Sequence, residues 1–310
     1  MFTNALQFGL VTMCVFLVCV RICTRPRDCL TPQDINMNNR PANLKGNMQK
    51  DPFTNALSYY PFEPMRNAEV QIFEDIIQNN RIKIGFGDAG RSTLTKYIQC
   101  LELQQDSIVV MEVGVWFGES IVLWLQSSPR VKVIGVDPFI TGPERAQLDP
   151  PTHWTSALFG IPWFNQRLTS YNIQRQFQDA ISRTLLIPGF YPNAIKPLLK
   201  LNPRPNIDIF YLDGGKKISD SPSGKQIIKY KTFVTNGVEL ILNNFPHALI
   251  SGDDWNHRSN KPHFQDAIKM LAKKHNRMIF VSQKRTWFLV HSQNVCFNTF
   301  NLKNTNIRQI

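Results

Sequence analysis

Five acidic residues stand where four apolar runs of this chain end, and acids so placed can do chemistry. SIVVMEVGVWFGESIVLWL (107–125) carries Glu112 and Gly114 at the close of one run, with Gly118 four positions on. VKVIGVDPF (131–139) closes on Asp137, IDIFYLDGG (207–215) on Asp213, and HALISGDDW (247–255) on Asp253 and Asp254. Glycines at such turns let a backbone approach a ligand where a Cβ would clash. An acid at the tip of the second strand can hold both hydroxyls of a ribose, and Asp137 follows Gly114 at close to the roughly 20 residues that this role uses. The oxygen donors of Asp213, Asp253 and Asp254 suit Mg²⁺ or a similarly hard cation. Asp253 and Asp254 equally suit caps of the helix that follows them.

These positions need a scaffold, and the hydrophobic pattern supplies one. Strands are expected at 107–112, 131–136, 184–187, 207–212 and 247–252. A closing pair, MIFVSQ and TWFLVHS, is joined by Lys284-Arg285. Helices are expected at 68–79 and 262–275, where apolar residues recur at helical spacing, at 93–103, 118–127, 169–183 and 191–200, and over at least part of 224–244. Alternation of this kind makes a parallel sheet covered on both sides, and ligands then bind beyond the C-terminal ends of its strands.

The motif set resembles the class I S-adenosylmethionine-dependent methyltransferases. Within them it is most similar to the metal-dependent small-molecule O-methyltransferases of the macrolide and aminocoumarin sugar type, and more distantly to the catechol type. The resemblance covers roughly 68–291 and rests on E-V-G-x-x-x-G, V-D-P, Y-L-D-G and G-D-D-W in that order. It implies an α/β, Rossmann-like, doubly wound, mostly parallel seven-stranded sheet with an antiparallel last strand. It implies S-adenosylmethionine held by Glu112, Gly114, Gly118 and Asp137, and Mg²⁺ or a similar divalent cation held by Asp213, Asp253 and Asp254. The sugar type carries D-G-x-H where this chain has D-G-G-K, so Lys216 stands at the offset of the catechol-type catalytic lysine. The implied activity is O-methylation of a small hydroxylated acceptor, a sugar or glycan among the candidates. A catalytically inactive binding protein of the same fold and a nucleic-acid methyltransferase are the alternatives.

Several other features carry weaker signals. GFGDAG (85–90) follows only a short apolar run and reads as a turn, and DPPT (149–152) reads as a proline turn. The aromatic, proline-rich stretch 140–168 suits either a wall for the acceptor or a loop folded on the core. His257 and His263 lie near the acidic turn. The formal charge of +12 fits an acidic partner, yet no basic strip of a nucleic-acid groove is visible.

Outside 67–292, read as the methyltransferase domain, the chain divides into a segment 1–23, a polar Asn- and Pro-rich linker 24–66 and a polar tail 293–310. ALQFGLVTMCVFLVCV (5–20) is followed by Arg21, Arg25 and Arg27. The expectation is a single-pass membrane anchor with the catalytic body in the cytosol, a signal peptide or a lumenal body being the alternatives. Four of six cysteines fall within the first 29 residues and no C-x-x-C pair exists, so the body reads as that of a reduced, non-secreted protein.

Overall fold

The computed structural model describes residues 51–79, 91–139, 164–214, 224–256, 261–283, 285–299 and 307–310. They belong to one compact unit spanning 50–141 and 162–310. Strand β1 (Ile108–Val113) shows why the sheet forms: all six residues are buried, as a strand covered on both faces must be. Val109, Met111 and Val113 join one core cluster, while Ile108 and Val110 join another on the opposite face. The remaining strands are β2 (Val131–Asp137), β3 (Thr184–Pro188), β4 (Ile209–Leu212), β5 (Leu249–Gly252), β6 (Arg277–Ser282), β7 (Thr286–His291) and β8 (Ile307–Gln309).

The strand order is β3-β2-β1-β4-β5-β7-β6-β8. The first five are mutually parallel, while β7 runs antiparallel between β5 and β6. This is the expected Rossmann-like, doubly wound sheet, and the order reverses between β1 and β4. Open α/β sheets place their ligand crevice at such a switch point. The eighth strand is an addition to the seven expected: β8 pairs antiparallel with β6 at the sheet edge.

Helices cover both faces. α1 (Pro52–Leu57), α8 (Gly224–Asn244) and α9 (Lys261–Lys274) supply one cluster through Phe53, Val234, Ile241, Phe264 and Leu271. α3 (Arg91–Glu102), α4 (Glu119–Ser127) and α10 (Val295–Thr299) supply the other through Leu94, Ile98, Trp124 and Phe297. Between them in sequence lie α2 (Asn67–Asn79), α5 (Phe164–Gln174), α6 (Ala180–Arg183) and α7 (Lys196–Leu199). α2 meets α5 where Phe73 stacks on Tyr171 with ring centroids 5.6 Å apart.

Three expectations need correction. The end of the expected linker is packed structure: Asp51 accepts a hydrogen bond from the Thr54 amide at 3.2 Å, Pro52 starts α1, and Phe53, Ala56, Phe62 and Met65 are buried. The expected loose tail holds α10 and β8. Cys296 of α10 is disulfide-bonded to Cys100 of α3, so the body is not a reduced one. Such bonds persist in oxidising environments.

The single-pass membrane expectation is likewise overturned. Among the described residues no helix is long and apolar enough to cross a membrane. Segment 1–23, on which that expectation and its partner membrane rested, lies outside the described residues, as do GFGDAG (85–90), DPPT (149–152), Lys216 and His257.

Candidate functional site at the strand tips

The turn after β1 is held from three sides. Gly114 has φ +90° and Gly118 φ +79°, the latter as the N-cap of α4. Asp137, at the tip of β2, accepts hydrogen bonds from the amides of Val115 at 2.9 Å and Trp116 at 3.2 Å through Oδ2, and from Phe139 at 2.7 Å through Oδ1. From α5, Thr169 Oγ1 donates to the Trp116 carbonyl at 2.7 Å and Asn172 Nδ2 to the Phe117 carbonyl at 2.8 Å. The backbone at the switch point is therefore fixed, even though Trp116 sits at φ +52°, a conformation that non-glycine residues seldom adopt.

Gly114 also meets the tip of β4. A Cβ there would lie 2.5 Å from Gly214 Cα and 2.9 Å from the Asp213 carbonyl carbon. The space a side chain would need at Gly114 belongs to the neighbouring strand's turn. Gly118 differs: a Cβ there would meet a side-chain methyl of Thr169 at 2.9 Å.

Glu112 is fully buried and faces α4. Trp124 Nε1 donates to its Oε2 at 2.9 Å, and Ser120 Oγ bonds its Oε1. Burial pushes its pKa up to about 8; Asp213 adds to the rise, while Ser120, Arg91 and Trp124 oppose it. An unfolded glutamate releases its proton near 4.5. Between those values folding must take up a proton, so this group's contribution to stability falls as pH rises from about 4.5 to about 8 and is level beyond. The loss is on the order of a few kcal/mol. Glu112→Gln can keep both contacts without the proton uptake. Its melting temperature, followed across that window, should fall less steeply with pH than the wild type's; parallel profiles would reject the assignment.

The other three acids meet two arginines. Arg91, at the start of α3, has a side chain only 7% exposed. Its Nη2 lies 3.0 Å from Asp213 Oδ2 and 3.6 Å from Asp253 Oδ2, and its Nε donates to Tyr211 Oη at 3.2 Å. Burial alone would lower the Arg91 pKa; Tyr211, Asp213 and Glu112 reverse this and hold the guanidinium charged above its ordinary value. Arg285, in the β6–β7 turn, puts Nε 2.9 Å from Asp253 Oδ1 and Nη2 3.5 Å from Asp254 Oδ1. The Asp253 side chain is 0% exposed, and its Oδ1 also accepts the Asp254 amide at 2.8 Å. Asp254 has φ +65°.

Asp213 and Asp253 thus converge, through Arg91, at the switch-point end of the sheet. Arg285 links Asp253 to Asp254. Glu112 turns away into α4, and Asp137 serves the glycine turn. Among the described residues, no three His, Cys, Asp or Glu side chains form a group that could hold a metal ion. The expected Mg²⁺ does not fit the donors as arranged: it would compete with guanidinium groups for the same carboxylate oxygens. Sequence reasoning missed both arginines. The available signal was electrostatic, since acids crowded on adjacent strand tips need compensating cations when buried.

The chain matches no protein-family model and no curated protein sequence. Solved structures similar to it include an O-methyltransferase from Bacillus cereus (12% identity, TM-score 0.39, covering 73% of this chain and 92% of that one). TomG from Streptomyces achromogenes, an O-methyltransferase of tomaymycin synthesis, shows 12% identity and a TM-score of 0.40 over 77% of this chain and 95% of its own. The calicheamicin methyltransferase CalS11 shows 15% identity and a TM-score of 0.39 over 81% of this chain and 100% of its own.

Proposed function

We propose that the chain is an S-adenosylmethionine-dependent methyltransferase acting on oxygen of a small hydroxylated acceptor. The observation that carries this reading is the glycine turn at the β1/β4 switch point, clamped by the acid that ends β2. Bound there, S-adenosylmethionine would supply an electrophilic methyl group. The chain's own part is positional. Asp137, Thr169 and Asn172 fix the turn before any ligand arrives, and ordering a site in advance lowers the cost of binding. Holding an acceptor oxygen in line with a methyl carbon contributes roughly 7–11 kcal/mol when the geometry is good.

Lys216 is the base in this proposal, on its sequence position three residues beyond Asp213. Divalent-metal assistance, which the motifs imply, is left out because Arg91 and Arg285 engage the acids that would carry the metal.

Calorimetric titration with S-adenosylmethionine tests the reading. Binding is expected for the wild-type protein. Asp137→Ala removes a charged acceptor from three backbone amides and should weaken that binding about ten- to a hundredfold, equivalent to about 1.5–3 kcal/mol. Well-folded wild-type protein that takes up no S-adenosylmethionine would end the proposal.

A further inference from the structure

We infer that Arg91 takes the place of a divalent cation in this site, so that the protein works without metal. The inference deepens the methyltransferase reading and rests on it only for the reaction concerned.

The geometry is specific. One Arg91 nitrogen lies within ion-pair distance of oxygens from two different strand tips, Asp213 after β4 and Asp253 after β5. A bridging cation would occupy that relation to the two acids. A second nitrogen of the same guanidinium, Nε, donates to Tyr211, which β4 presents two residues before Asp213. The guanidinium is therefore oriented by the strand whose tip it neutralises. Arg285 closes the far side against Asp253 and Asp254. Among the described residues, three carboxylates against two guanidiniums leave a balance of one negative charge, where three carboxylates alone would demand a metal or protonation. Magnesium also needs near-octahedral oxygen coordination at about 2.0–2.1 Å. Asp253 Oδ1 is already committed to Arg285 and to the Asp254 amide, and the arginines stand against one oxygen each of Asp213 and Asp254, so a magnesium ion would have to displace them.

Two consequences follow for the substrate and for Arg91. With no metal to chelate adjacent oxygens, the acceptor needs no pair of neighbouring hydroxyls; one suffices. Arg91 is a positioning residue, acting through the strand tips it ties together.

The test uses the full-length protein stripped with EDTA. Calorimetric titration with Mg²⁺ and Mn²⁺ should give no saturable binding, and neither ion should shift the melting temperature. Arg91→Met should acquire Mn²⁺ binding, and Asp213→Asn added to it should abolish that binding. Saturable metal binding by the wild type that Asp213→Asn removes would overturn the inference, as would a folded Arg91→Met that binds no Mn²⁺. If Arg91→Met fails to fold, the wild-type and Asp213→Asn titrations still decide. S-adenosylmethionine is titrated separately in EDTA. Binding there supports both readings. No binding with or without metal removes the methyltransferase reading and leaves the arginine assignment. Binding that appears only with metal does the reverse.

Discussion

Gly114→Ala is expected to lower stability by about 2–5 kcal/mol and to abolish measurable S-adenosylmethionine binding in whatever fraction remains folded. Two costs add. At φ +90° an alanine pays for a left-handed backbone, about 1–2 kcal/mol. Its Cβ would also stand 2.5 Å from Gly214 Cα. That neighbour is backbone, anchored where the Gly214 amide donates to the Val113 carbonyl at 2.7 Å, so it cannot swing aside. Overpacking of that kind costs about 1–3 kcal/mol. Gly118→Ala is the internal comparison. Its φ is similar, but the obstacle is one methyl of Thr169, so its loss should stay at about 1–2 kcal/mol. Urea melts of the two variants against wild type measure the difference. Equal losses would mean that the close approach of the β1 and β4 turns is not what demands the glycine.

Breaking the disulfide is expected to have an effect of similar size. Cys100 and Cys296 are 196 residues apart, and closing so long a loop restricts the unfolded chain by about 5 kcal/mol in the chain-entropy account, with about 2–4 kcal/mol typical. The double variant Cys100→Ser/Cys296→Ser should therefore melt at lower temperature and lower urea concentration, and reductant should reproduce the shift in the wild type only. The bond also has a local meaning. It fixes α3 to α10 near the end opposite Arg91, so it steadies the helix that brings the cation to the strand tips. Identical melts with and without reductant would refute a stabilising role.

How much of this was legible in the sequence depended on the range of the interaction. β1 and β2 were readable because a strand buried on both faces must be a continuous apolar run, so Glu112 and Asp137 stood out against their neighbours. The turn glycines were readable for the same reason. What each acid touches was not readable. Arg91 and Asp213 are 122 positions apart, and nothing local to either announces the other. Glu112 looked like a ligand because it ends a strand; its alternation places it on the α4 side with Ile108 and Val110, where Trp124 and Ser120 meet it. The disulfide was invisible because a bond between two isolated cysteines leaves no spacing signature. α1 was hidden by polar composition, although Asp51-Pro52 is the start signal of a helix.

The short strand β8 carries a consequence of its own. By pairing Ile307, Arg308 and Gln309 with Ser282, Val281 and Phe280, it occupies hydrogen-bonding positions of β6 that would otherwise face outward. Bare borders of that sort recruit other chains. Removing residues 307–309 would move that border from a strand of three residues to the longer β6, and the shortened protein is expected to self-associate more readily than the full-length one.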